Sequence, residues 1–86
     1  MARYSLRIKK SARKELANIP TKADRRRIIT RIESLAENPR PTGSQKLSGQ
    51  QRYRVRQGRY RILYTIEDDI LIVHVIKIAD RKDVYR

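Results

Sequence analysis

Eighty-six residues carry 22 lysines and arginines against nine aspartates and glutamates, a formal charge of +13, and no cysteine. A chain of this length makes one small domain, spanning 1–86, in which nearly every apolar side chain is needed for a single core. Disulfides and thiolate metal sites are excluded, no apolar run approaches the roughly 20 residues that cross a bilayer, and the positive excess favours a polyanionic partner, nucleic acid first, in the cytoplasm rather than at a membrane.

Tyr4, Leu6 and Ile8 alternate with Arg3, Ser5 and Arg7, the period of a first strand with one buried face. From about Lys9 the period changes. Ala12, Leu16 and Ile19 fall at helical spacing until Pro20, which lacks a backbone donor and ends the segment. Thr21 and Asp24 resemble a capping box opening a second helix, whose apolar face is Ile28, Ile29, Ile32, Leu35 and Ala36 and whose stop is Asn38-Pro39. Two short helices joined at a Pro-Thr turn must pack on something flat, which predicts a helical hairpin on one face of a sheet. Pro39 to Gln51 reads as a loop, with Lys46-Leu47 as an anchor in it rather than an element.

Arg52 to Ile66 follows as two alternating runs joined at a glycine. A two-residue Gly58-Arg59 turn of type II′ sets Gln57 opposite Tyr60, Arg56 opposite Arg61, Val55 opposite Ile62, Arg54 opposite Leu63 and Tyr53 opposite Tyr64. Side chains then sort by face. Tyr53, Val55, Tyr60, Ile62, Tyr64 and Ile66 take one side; Arg52, Arg54, Arg56 and Arg61 take the other. Opposed like charges destabilise a sheet, so Arg56 facing Arg61 points to an anion as the natural third partner. After Glu67-Asp68-Asp69 the apolar run from Ile70 to Ile78 predicts a central strand covered on both faces. A three-residue acidic turn would pair Ile66 with Ile70 and place Val75 beside Arg61 and Val73 beside Leu63, an apolar floor to the arginine face. The fold class is therefore α+β, β-α-α-β-β-β, with a mainly antiparallel four-stranded sheet.

Other candidates for chemistry are weaker. His74, the single histidine, sits mid-strand and in that register points toward Ile62 and the helices, as a core residue rather than an acid-base group. Three consecutive acids at 67–69 cannot converge on one metal ion and read as a polar turn. Tyr4, Tyr53, Tyr60 and Tyr64 fall on core faces. Tyr85 does not: if Asp80 caps a single helical turn, Arg81 and Tyr85 share a side four residues apart.

The order of elements, with Tyr53-Arg54-Val55-Arg56, Gly58-Arg59-Tyr60-Arg61-Ile62-Leu63-Tyr64 and Arg81-Lys82-Asp83-Val84-Tyr85, resembles the RelE family of toxin endoribonucleases over essentially the whole chain. That resemblance implies cleavage of messenger RNA in the ribosomal A site, with Arg54 and Arg56 holding the phosphate and taking the proton, Arg61 and Arg81 on the transition-state charge, and Tyr85 stacked on or orienting the nucleotide. Arg52, Arg59, Lys46, Lys77 and Lys82 would supply the surrounding RNA contacts. Neither metal nor cofactor is implied. The partners implied are the ribosome, messenger RNA and a cognate acidic antitoxin in a hetero-oligomer, the free toxin being monomeric. The related ParE proteins share the scaffold but poison DNA gyrase; a gyrase poison and a non-catalytic, decayed RNA binder are the alternative readings. Two features depart from the RelE pattern: arginines stand at 54 and 56 where some members have lysine, and Ala79-Asp80 stands where many have Gly followed by His or Lys. Arginine also suits phosphate better than it suits a base, since its pKa lies above about 12, so Lys46, Lys77, Lys82, Tyr85 and Asp80 stand as further candidates for that role.

Overall fold

The structure is a computed structural model, and it describes residues 3–47 and 51–81. The first strand, β1, is Ser5–Ile8. Helix α1 runs Lys10–Ala17 and helix α2 Lys22–Glu37, and Asn38-Pro39 ends the second as the sequence predicts. A two-residue strand β2, Gln45–Lys46, then precedes β3 (Arg52–Gln57), β4 (Tyr60–Glu67) and β5 (Ile72–Asp80). The sheet order is β1-β5-β4-β3-β2. Only β1 and β5 run parallel; the other neighbours are antiparallel.

The sheet thus has five strands rather than four. Lys46, expected in a loop, pairs with Tyr53, and Gln45 pairs with Arg54. Both helices cover one face. Ala12, Ile19, Ile28, Ile32 and Leu35 meet Val55, Tyr60, Ile62, Tyr64, Val73, Val75 and Ile78 in one core. Tyr64 is fully buried, yet its hydroxyl donates to the Pro39 carbonyl at 2.6 Å, so its one polar atom is satisfied. Burial raises the pKa of this phenol.

Two helix expectations fail locally. Thr21 is the N-cap of α2 but makes no side-chain cap bond, and the Asp24 carboxylate lies 3.7 Å from Arg27. Ile29 is 42% exposed, since it lies about 100° around the helix from buried Ile28, at the edge of the core-facing stripe.

The hairpin register agrees with the sequence at every pair from Tyr53/Tyr64 to Gln57/Tyr60. Gly58 has φ +60°, and Arg59 keeps a negative φ, as type II′ rather than type I′ requires. The register of β5 is different from the expected one. The turn holds four residues, 68–71, with Leu71 at φ +54°, so Ile66 pairs with Val73, Thr65 with His74 and Tyr64 with Val75. Adding one turn residue inverts the strand: Val73 and Val75 enter the core, and His74 faces the arginine side. An irregularity then leaves Ile76 unpaired, beyond which Leu63 faces Lys77, Ile62 faces Ile78 and Arg61 faces Ala79. The bulge returns Ile78 to the core, which an uninterrupted ladder would have turned outward.

The longer turn has a visible cause. Arg40 grips Asp68 with both terminal nitrogens, at 3.2 and 2.9 Å, and the Tyr4 hydroxyl donates to Asp68 at 2.6 Å. Arg40 Nε also donates to the Tyr53 hydroxyl at 3.1 Å, and its guanidinium lies 5.3 Å from the Tyr53 ring centroid. Tyr53 in turn stacks on Tyr64 at 5.8 Å. Asp68, the first residue of this turn, is thus held by residues flanking β1 and α2, contacts that local sequence does not report.

Candidate functional site

With both helices on the core side, the opposite face of the sheet is left to Arg52, Arg54 and Arg56 of β3, to Arg61, Leu63 and Thr65 of β4, to His74 of β5 and to Arg7 of β1. Arg56 and Arg61 are direct neighbours. Arg56 is exposed, whereas Arg61 is only 6% exposed, an uncommon state for a guanidinium. Beside Arg61 lie Leu63 and buried Ala79 rather than the expected Val73 and Val75, which belong to the core. Arg54, half-buried, donates through Nη2 to the Gln45 side chain, so the short strand β2 steadies it.

At the hairpin tip the chain crosses back on itself. Arg59 Nη2 lies 2.9 Å from Asp80 Oδ2, and the Arg81 N–H donates to the Arg59 carbonyl at 2.7 Å. Asp80 is therefore the last residue of β5 and a partner of Arg59, and it brings the start of the C-terminal segment beside the Gly58-Arg59 turn. Arg81 is thereby placed near the end of the sheet that holds Arg56 and Arg61. Lys82 and Tyr85 lie outside the described residues.

Two expected RNA contacts are placed differently: one lies on the other face, and the other, opposite Leu63 on the arginine side, is held in an ion pair. Lys46, opposite Tyr53, belongs to the helix side of the sheet. Lys77 donates to Glu15 of α1 at 2.8 Å, and the other oxygen of Glu15 accepts from the Ile78 N–H at 3.0 Å. That carboxylate covers the margin of β5 beyond the end of β1 and draws Lys77 to it. His74, set aside in the sequence as a core residue, lies on the arginine face with Nε2 2.5 Å from Glu67 Oε1. Its alternation with Val73 and Val75 could have been read either way; the length of the preceding turn decides it. Among the described residues no group of His, Asp or Glu side chains gathers as a metal site.

Residues 6–85 match the family described as the ParE toxin of type II toxin-antitoxin systems, parDE. The chain belongs to that family. Toxin RelG of Mycobacterium tuberculosis is 28% identical over 86 residues, covering 96% of this chain and 97% of RelG. In the archaeal RelE-RelB complex from Pyrococcus horikoshii, a chain 30% identical superposes with a TM-score of 0.81, over 94% of this chain and 97% of that one. The intact Escherichia coli RelBE complex gives 25% identity and a TM-score of 0.77, over 90% and 95%. The protein is thus a RelE/ParE toxin of the type II class, and its α+β fold is the RelE fold.

As a chemical device, this toxin's open face offers planar cations and few groups that titrate near neutrality. Asp68 is engaged by Arg40, Asp80 by Arg59, Glu15 by Lys77 and Glu67 by His74. Such a surface binds and polarises phosphate well, because a guanidinium donates two parallel hydrogen bonds to phosphate oxygens.

Proposed function

We propose that this toxin is a ribosome-dependent endoribonuclease that cuts messenger RNA in the A site without a metal ion. The observation that carries the reading is the convergence of Arg54, Arg56 and Arg61 on one sheet face, with the Arg81 backbone fastened to the adjoining turn. In the reaction the ribose 2′-oxygen forms a bond to phosphorus, the bond from phosphorus to the 5′-oxygen breaks, and the products are a 2′,3′-cyclic phosphate and a free 5′-hydroxyl. The 2′-hydroxyl proton must leave and the 5′-oxygen must gain one.

Arg61 and Arg81 are assigned to the charge that develops on the phosphoryl oxygens, where preorganised donors contribute most. Arg54 and Arg56 hold the flanking backbone. An arginine is a poor base, so the acceleration is assigned mainly to positioning: the ribosome and the arginine cluster hold the RNA in line for attack. Tyr85 is assigned to the nucleotide base on the resemblance alone. The partner that restrains the toxin is an acidic antitoxin, a reading supported by the RelB-bound relatives and by the +13 charge. The cytoplasm is the setting this requires.

Translating ribosomes incubated with the protein test the proposal. Wild type is expected to cut messages at A-site codons, and Arg61→Ala to lose at least a hundredfold in rate, the order of one oxyanion donor, while keeping its circular dichroism spectrum. Intact message at saturating toxin rejects it, and inhibition of supercoiling without RNA cleavage would favour a gyrase poison.

A further inference from the structure

The register places one unbroken row of side chains across four strands of the open face: Arg52 on β3, Thr65 on β4, His74 on β5 and Arg7 on β1. Neighbouring strands lie about 4.8 Å apart, so the imidazole sits between the two guanidinium groups, next to Arg7 and one strand beyond Thr65 from Arg52. This row is four residues along β4 from the Arg56/Arg61 pair, about 13 Å at 3.3 Å per residue. Arg7 and Arg52 are exposed, and neither forms an ion pair among the described residues. Glu67, two residues beyond Thr65 on β4 and opposite Ile72, contacts His74 through Nε2.

We propose that Arg7, Arg52 and His74 form a second phosphate subsite, which holds single-stranded RNA a few nucleotides from the bond that Arg56 and Arg61 address. The inference rests on the RNA reading given above. Two arguments support it. Arg7 stands beside His74 and Arg52 beside Thr65, so the two exposed guanidinium groups flank the middle of the row and can reach in from both ends to a phosphate lying over it. Single-stranded RNA is held by basic grooves that track its backbone, and the two cationic rows, on one face and aligned along the strands, provide such a track.

The groups facing His74 are few. Arg7 approaches from β1, Glu67 from β4, and Arg52 from β3 across the uncharged Thr65; the helices lie on the other face.

The test uses a 2′-O-methyl oligoribonucleotide, which binds but cannot be cut, and measures affinity against salt. Each phosphate neutralised on a single strand contributes about 0.7 to the slope of log affinity against log salt. Arg7→Ala and Arg52→Ala should each lower the slope by up to about 0.7 and His74→Ala should weaken binding, while Lys10→Ala, at the start of α1, leaves both unchanged. A slope indifferent to Arg7 and Arg52 overturns the subsite. So does weakened binding of an acidic protein partner by these variants with RNA slopes intact, which would assign the row to that partner. If the expected slopes appear but ribosome-bound message stays whole, the nuclease reading fails and the subsite stands.

Discussion

Asp80 occupies a position where the sequence departs from the RelE pattern, and its contact with Arg59 explains how the departure is accommodated. The ion pair is 2.9 Å long, with Asp80 largely shielded and Arg59 exposed. A pair with one exposed partner contributes about 0–1 kcal/mol to stability, so its main effect is on direction: with the backbone bond from Arg81, it fixes where the chain leaves the sheet. Asp80→Ala is expected to leave Tm nearly unchanged and to lower kcat for the proposed ribosomal cleavage on the order of tenfold, with little effect on KM, because misplacement costs rate more than binding. Exchanging the charges, Arg59→Asp with Asp80→Arg, should recover part of the loss. A fall in Tm that matches the fall in activity would assign the pair a structural role instead.

Among elements, the loops differ from the hairpin in how far their structure follows from local sequence. Arg54 and Arg61 could be assigned a common face because Gly58 fixes a two-residue turn, and the pairs it dictates lie within eleven residues of each other. The β4–β5 turn contains no such residue. Its length is set by Arg40, 28 positions before Asp68, and by Tyr4, 64 positions before it, and no periodicity within residues 67–78 reports those contacts. The bulge at Ile76 is likewise a tertiary compromise. His74 was therefore misplaced by sequence reasoning, while the arginines were placed correctly, and β2 escaped notice because two residues are too few to show an alternation. The same contact has a pH signature. Hydrogen bonds from Arg40 and then Tyr4 hold the Asp68 carboxyl at about 2, below its ordinary 3.8. A depressed carboxylate contributes stability above its unfolded pKa and loses it as pH falls through the folded one. Asp68→Asn should thus melt below wild type at neutral pH, and the two melting curves should converge between about pH 4 and 2; a constant difference across that window would refute the assignment.

For the molecule as a whole, charge is the dominant strain. A +13 chain of 86 residues repels itself, and its ion pairs, mostly between exposed side chains, offset little of that. Added salt screens both, but the repulsion spans the whole surface while each pair is local. Raising sodium chloride from about 0.02 to about 0.3 M, which shortens the screening length to below about 10 Å, is therefore expected to raise Tm by a few degrees in calorimetry. A fall would mean that ion pairs outweigh the repulsion. The polyanions this surface attracts should stabilise it in the same way.

The parallel pairing of Ser5–Ile8 with residues 72–75 has a consequence for biosynthesis. The first strand to emerge during translation has no partner until the last one is made, and the core side chains of β5 arrive equally late. A nascent toxin remains unfolded through most of its own synthesis, and its arginine face, built from strands that depend on β5 for their place in the sheet, is assembled only near the end. A partner translated alongside gains that interval in which to meet the chain before this face is complete.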